Sequence, residues 1–187
     1  MIFILVCCVG GVPTSGSNCK YSVDHGTLAQ APSDRFPSIL GAKIGCPDIP
    51  VIGFAGDGAF GISMNEMSSC AREEWPAITM VIFRNYQWGA EKRNTTLWFD
   101  NNFVGTELDP ELSYAKIAEA CGFKGVKVTT QSELTEALKT SCVEQMNGIT
   151  TFIEVILNQE LGEPFRRDAM KAPVEVAGIK SKDTVVQ

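Results

Sequence analysis

Two apolar runs that each break off into a short polar turn constrain this chain more than any other feature. Residues 51–55 (Val51-Ile52-Gly53-Phe54-Ala55) lead into Gly56-Asp57-Gly58-Ala59-Phe60-Gly61. Residues 78–83 (Ile78-Thr79-Met80-Val81-Ile82-Phe83) lead through Arg84 into Asn85-Tyr86-Gln87-Trp88-Gly89, so that Asn85 follows Asp57 by 28 positions. Runs that are apolar almost throughout are those of strands buried on both faces of a parallel sheet. Their ends bring together a carboxylate, an amide oxygen and glycine-lined N–H groups. That combination suits a divalent metal carrying a diphosphate, because hard cations such as Mg²⁺ take oxygen ligands and share them with phosphates. Glycines let the backbone approach phosphate oxygens, and the helix that follows adds the positive end of its dipole. Either half alone is weak evidence, since Gly-Asp-Gly and a lone Asn also occur in ordinary turns.

The rest of the chain alternates short apolar runs with helix-like stretches, which predicts a parallel sheet with helices on both faces. Residues 38–44 read as a short buried helix and residues 46–50 as a turn. Residues 62–72 fit a helix, with Ile62, Met67, Cys70 and Ala71 on its buried side. Residues 89–108 are polar and aromatic without period, an active-site loop containing a short helix. Residues 112–120 form a helix with Gly122 as C-cap. Residues 126–128 form a strand. Thr130-Gln131-Ser132-Glu133 is a capping box opening a helix with Leu134, Ala137, Leu138 and Cys142 on its apolar side. Residues 151–156 are a further strand. The opening Met1-Ile2-Phe3-Ile4-Leu5 run lacks the basic residue of a signal peptide and is too short to span a bilayer, so a buried strand is the favoured reading. Beyond Pro173 the chain turns polar and is expected to fray.

A length of 187 residues suits one domain, and 44% hydrophobic with 20% charged residues suits a soluble globular one. A net charge of −6 argues against a nucleic-acid surface, which needs a basic stripe, and against a membrane-surface role. The seven cysteines include no CxxC pair, and scattered single cysteines point to reduced side chains in a cytoplasmic protein. His25 is the only histidine and carries no assigned role. Asn94-Thr95-Thr96 matches a glycosylation sequon without meaning in that compartment.

The Gly-Asp-Gly…Asn pair resembles the signature of the thiamine diphosphate-binding domain of the thiamine diphosphate enzyme superfamily. The resemblance implies thiamine diphosphate and Mg²⁺ as cofactors. It implies that Asp57, the Asn85 side chain and the Gln87 backbone carbonyl ligate the metal. Gly58 and Ala59 would then face the diphosphate, with Gly56, Trp88 and Gly89 completing the cofactor-binding set. The family usually carries Asn-Asn where this chain has Arg84-Asn85; the second Asn is the ligand, so Asn85 keeps the role. Asn85-Tyr86-Gln87-Trp88-Gly89-Ala90-Glu91-Lys92-Arg93-Asn94 is similar to the corresponding stretch of sulfoacetaldehyde acetyltransferases. So are Glu160-Leu161-Gly162-Glu163-Pro164-Phe165-Arg166-Arg167-Asp168-Ala169 and the Pro173 that follows. That narrower likeness implies cleavage of sulfoacetaldehyde with phosphate to acetyl phosphate and sulfite. The alternatives are an acetolactate synthase-like or 2-oxo-acid decarboxylase domain, or a non-catalytic cofactor-binding or subunit module.

Within that frame, Arg166 and Arg167 are candidates for a sulfonate or phosphate, which guanidinium forks suit; a surface pairing with Glu163 and Asp168 is the bland alternative. Trp88, Glu91, Lys92 and Arg93 lie where substrate would approach, or form a solvated charge run. Glu66 is more readily structural than catalytic, and no catalytic residue is assigned. The resemblance implies two further domains before this one, the first supplying a glutamate that protonates the aminopyrimidine ring, so the chain is expected to be a fragment that works as a homo-oligomer or with a partner chain. The family's glycine-rich stretch before Phe-Pro survives only as Phe36-Pro37. The expected organisation is a rearranged segment over 1–35, the thiamine diphosphate and Mg²⁺ domain over 36–174, and a polar tail over 175–187.

Overall fold

The computed structural model of the chain describes residues 3–5 and 35–159. These divide into two units, one of residues 3–5, 35–87 and 107–159, the other of residues 88–106. The strands of the larger unit are β1 (Phe3–Leu5), β2 (Val51–Gly56), β3 (Thr79–Arg84), β4 (Lys124–Val128) and β5 (Thr151–Ile156). They form one sheet in the order β1-β2-β3-β5-β4, every neighbouring pair parallel. The helices are α1 (Arg35–Gly45), α2 (Asp57–Ser63), α3 (Met67–Cys70), α4 (Gly89–Trp98, in the smaller unit), α5 (Tyr114–Ala120) and α6 (Gln131–Met146). The parallel sheet expected from the sequence is therefore present, and the opening apolar run supplies its first strand. Among the described residues no helix is long and apolar enough to cross a membrane.

Alternation along the strands sorts the core into two layers. Val51, Ala55, Met80, Ile82 and Phe152 face α1, α2 and α5 and pack with Phe36, Ile39, Phe60, Met67 and Tyr114. Ile52, Val81, Ile153 and Val155 face the other way, with Val128, against Leu134, Ala137, Leu138 and Cys142 of α6. Helices thus cover both faces. Burying each large apolar side chain in these layers stabilises the fold by about 1.5–3 kcal/mol. Phe36 centres the first layer, its ring centroid 5.6 Å from Phe60 and 5.7 Å from Phe152. Two glycines set how closely helix and sheet approach. A Cβ on Gly53 would run into the Ile39 side chain, and one on Gly125 into the backbone carbonyl of Ala115.

Several boundaries differ from the sequence expectation. Helix α1 begins at Arg35 rather than residue 38, because proline is tolerated in a first helical turn and Pro37 sits there. The stretch expected as one helix over 62–72 instead begins at Asp57, directly on the end of β2, and is broken by a 3-10 turn at Met64–Glu66 before α3. That start moves the buried face to Phe60, Ser63, Met67 and Cys70, leaving Ile62 54% exposed and Ala71 in solvent. The two caps follow expectation. Thr130 and Glu133 form a complete capping box on α6. Gly122, at φ 86°, closes α5 with Phe123 N–H donating to Ala118 O and Gly122 N–H to Glu119 O, a Schellman arrangement.

The smaller unit is α4 followed by a turn. Trp88 N–H donates to Thr106 O at 2.8 Å, and Phe99 N–H to Thr95 O at 2.9 Å. Asp100 and Asn101 take left-handed conformations, φ 48° and 60°, which carry the chain out of the helix.

Candidate functional site

Parallel pairing brings the two polar turns together. The register sets Gly56 beside Phe83, and Arg84 beside Ile156 of β5. Asp57 and residues 84–87 therefore leave adjacent strands at the same carboxyl edge of the sheet. Asp57 is the first residue of α2 and only 4% exposed. Its Oδ1 accepts the N–H of Gly58 at 2.8 Å, and its Oδ2 accepts the N–H of Tyr86 at 3.2 Å. Tyr114 Oη donates to the Asp57 backbone carbonyl at 3.3 Å. Burial raises the Asp57 carboxyl above its ordinary range, against the opposing pull of the N–H groups of Gly58, Tyr86 and Asn85 and the charge of Arg84. Burial, and then the Asp57 carboxylate, push the Tyr114 phenol up as well, which keeps it a donor.

Residues 85–87 turn sharply. Tyr86 has φ 61°, a left-handed conformation that a bulky side chain rarely takes. Asn85 Oδ1 accepts the N–H of Gln87 at 3.4 Å across this kink. Gln87 forms an isolated bridge with Glu107, beside which Leu108 N–H donates to Tyr86 O at 2.8 Å. The Gln87 side chain is buried, and its Nε2 donates to Gln159 O at 2.8 Å.

Beneath the turn lies a buried ion pair. Arg84 Nη1 meets Glu154 Oε1 at 3.1 Å, with side chains 2% and 1% exposed. Arg84 Nη2 donates to Asp109 O at 2.8 Å. The guanidinium carbon lies 4.5 Å from the centre of the Tyr86 ring and 5.2 Å from that of Tyr114. The second oxygen of Glu154 accepts Ser113 Oγ at 2.7 Å and Ala115 N–H at 3.1 Å, fixing the start of α5. Sequence reasoning noted Arg84 only as a departure and passed over Glu154 and Tyr114. The available signal was a lone acid inside the apolar run 151–156 and a lone base closing the run before Asn85.

The donor chemistry around Asp57 suits a hard divalent cation. Among the described residues no group of three or more His, Cys, Asp or Glu side chains comes together. A cation at Asp57 would therefore draw on one buried carboxylate, with the turn at 85–87 offering the Asn85 amide oxygen and backbone carbonyls, all oxygens, which is what Mg²⁺ takes when phosphate oxygens complete its shell. A buried carboxyl with no ion-pair partner among the described residues also gains from a cation.

The other sequence candidates divide between the units. Gly56 is exposed and extended before α2, and Ala59 is half-buried in that helix's first turn. Glu66 is half-buried, its Oε1 accepting Asn65 Nδ2 at 3.4 Å, a local contact. Trp88, 46% exposed, and Gly89 open α4 in the smaller unit. There Glu91 is exposed and Lys92 Nζ lies 5.3 Å from the Phe103 ring centre. Arg166, Arg167 and His25 lie outside the described residues, as do the segment 6–34 and the tail.

Comparison with known proteins agrees with this geometry. The pattern of the family described as "Thiamine pyrophosphate enzyme, C-terminal TPP binding domain" matches residues 24–155. The chain is 76% identical over 152 residues to the "Probable sulfoacetaldehyde acetyltransferase" of Rhizobium meliloti (strain 1021), across 81% of this chain and 26% of that protein. It is 67% identical over 147 residues to the "Sulfoacetaldehyde acetyltransferase" of Roseovarius nubinhibens, across 79% of this chain and 24% of that protein. The solved thiamine diphosphate-dependent 4-hydroxybenzoylformate decarboxylase of Rhodococcus jostii RHA1 is similar with a TM-score of 0.59 and 26% identity, across 68% of this chain and 23% of that one. The chain spans about a quarter of the length of the curated relatives it matches. With the parallel sheet and the Asp57–Asn85 strand ends in place, the match over residues 24–155 makes this chain a member of the thiamine pyrophosphate enzyme family, as its C-terminal cofactor-binding domain.

Proposed function

We propose that this chain holds the diphosphate end of thiamine diphosphate through Mg²⁺ ligated by Asp57, the Asn85 side chain and the Gln87 carbonyl, as part of a sulfoacetaldehyde acetyltransferase. The observation that carries the reading is the buried Asp57 carboxylate at one strand end, hydrogen-bonded to the turn that bears Asn85 and Gln87 at the next. The substrate assignment is supported by the 76% identity to a probable sulfoacetaldehyde acetyltransferase. The reaction is cleavage of sulfoacetaldehyde with phosphate to give acetyl phosphate and sulfite. When bound, thiamine diphosphate supplies the nucleophilic carbon that such a cleavage needs. The chain's own contribution is binding and orientation. Asp57 offers charge to the metal, the kink at Tyr86 separates its two neighbours as donors, and Gly56, Gly58 and Ala59 line the cofactor.

A second copy or a partner chain bearing the pyrimidine-binding domain completes the active centre, and Arg166 and Arg167 are candidates for the anionic substrate. The domain runs over 36–174 with β1 (Phe3–Leu5) of the segment 1–35 joined to its sheet, and the tail is 175–187. A cytoplasmic setting is part of the same proposal, in keeping with reduced cysteines at Cys70, Cys121 and Cys142; burial pushes the Cys70 thiol up to about 12. The test is calorimetric titration of the chain with thiamine diphosphate, with and without Mg²⁺. Binding that requires Mg²⁺ supports the reading. Metal-independent binding, or none from a folded chain, contradicts it.

A further inference from the structure

We propose that Arg84 is a positioning residue for the metal-ligating turn: a clamped guanidinium beside which lie both of the tyrosines that hold Asp57. The inference rests on the assignment of Asp57, Asn85 and Gln87 as the ligands. Arg84 stands where it ends β3, one residue before Asn85, and strand alternation turns it to the same face as Met80 and Ile82, where Phe152 and Glu154 of β5 also point.

Three connections converge on this side chain. Tyr86, 4.5 Å from the guanidinium, donates its N–H to Asp57 Oδ2. Tyr114, 5.2 Å away, donates its hydroxyl to the Asp57 carbonyl. Glu154 holds Nη1 with one oxygen and the start of α5, which carries Tyr114, with the other. Arg84 therefore ties the side-chain anchor of Asp57 and its main-chain anchor to one frame. The left-handed Tyr86 needs such a frame, because nothing local favours φ 61° in a tyrosine. An aromatic ring against a desolvated guanidinium supplies it.

The arrangement also says what Arg84 is not. Its residue is 1% exposed, and both terminal nitrogens are committed to Glu154 and to Asp109 O. It does not present a fork to a phosphate or sulfonate. Lysine cannot replace it, since one ammonium cannot hold Glu154 and Asp109 O in a planar fork while offering a flat face to two rings. A buried ion pair is weak evidence for stability alone, so a role in geometry is the stronger account of why this one sits beneath the turn.

The test uses the 187-residue chain with Arg84→Lys and Tyr114→Phe. Mg²⁺ affinity is measured by calorimetry at saturating thiamine diphosphate, Tyr86 amide exchange by NMR without cofactor, and folding by thermal melts. Arg84→Lys is expected to weaken Mg²⁺ binding by about 10–100-fold, as loss of an outer partner of metal ligands does. It is also expected to speed Tyr86 exchange while a cooperative melt survives. Tyr114→Phe, which keeps the ring and deletes one hydroxyl, is expected to weaken Mg²⁺ binding with little change in melting. It stands in if the Arg84 variant fails to fold. Wild-type Mg²⁺ affinity in folded variants, with only the melting temperature lowered, would overturn the proposal. If the unsubstituted chain binds no thiamine diphosphate, the functional reading fails, and Tyr86 exchange alone decides the clamp: faster in Arg84→Lys supports it, unchanged sinks it.

Discussion

Asp57, the proposed metal ligand, shows what a buried carboxylate costs the protein that carries it. Its carboxyl is buried, and burial outweighs the N–H groups that face it, so its folded pKa lies above the unfolded one. A carboxyl shifted in that direction is harmless below its unfolded value. It lowers stability as pH rises through the unfolded and folded values, and the loss is complete above the folded value. The metal-free chain is therefore expected to gain most from Asp57→Asn at neutral pH and nothing in strong acid. Melting temperatures of the two chains across pH, without Mg²⁺, check this; a constant difference at every pH would refute the shift. The same substitution is expected to abolish Mg²⁺-dependent binding of thiamine diphosphate, a loss of about 3–5 kcal/mol if it resembles breaking a buried ion pair. Asp57, Asn85 and Gln87, the proposed ligands, could be named from the sequence because each lies just past an apolar run and the motif fixes its type. Arg84 and Glu154 were not, because their contact spans 70 positions and exists only once β3 and β5 pair. No local pattern announces which strand lies beside which.

At the scale of elements, what the sequence shows well is what short-range chemistry decides. The capping box of α6 is a four-residue device, and it formed as written. The helix after Gly56 is different. Its period suited a start at residue 62, but the chain turns into helix at Asp57, as the tertiary placement of Asp57 and Phe60 requires, and Ile62 is left outside. Three predictions belong here. Thr130→Ala removes the hydroxyl that accepts Glu133 N–H and is expected to cost about 1 kcal/mol in urea unfolding. Glu133 is held below its ordinary range by the N–H groups of Thr129 and Thr130. Its share of the cap is thus present above the unfolded value and is lost as pH falls through the folded one. Amide protection in the first turn of α6 should fade in acid, and protection that persists would count against the box. Gly125→Ala places a methyl against the Ala115 carbonyl. Backbone cannot step aside as a side-chain tip can, so the substitution is expected to destabilise by about 1–3 kcal/mol, the range for overpacking. A neutral result in the same urea assay would mean that α5 shifts on β4 at little cost.

For the whole molecule, the question is what a chain about a quarter the length of its relatives does by itself. The described residues bring Asp57 and Asn85 to one sheet edge and place the clamp of Arg84, Glu154 and Tyr114 beneath them. The proposed role of these groups is to hold a metal and a diphosphate. The cofactor's reactive carbon also has to be oriented and activated, which is the protein's task in any cofactor enzyme. The Asp57 carboxylate has its proposed role at the metal, and the Glu154 carboxylate is taken up by Arg84 and the start of α5. Cofactor capture and turnover are therefore expected to separate. The chain alone, with thiamine diphosphate, Mg²⁺, sulfoacetaldehyde and phosphate, should bind cofactor and release no sulfite. A partner bearing the pyrimidine-binding domain should restore release of sulfite with formation of acetyl phosphate, while pyruvate is left untouched. Sulfite from the purified chain alone would show that it carries its own activating group. Consumption of pyruvate in place of sulfoacetaldehyde would move the assignment to the acetolactate synthase-like alternative. Binding without turnover in every combination would leave a cofactor-holding module, and would place the chemistry specific to sulfoacetaldehyde outside this domain.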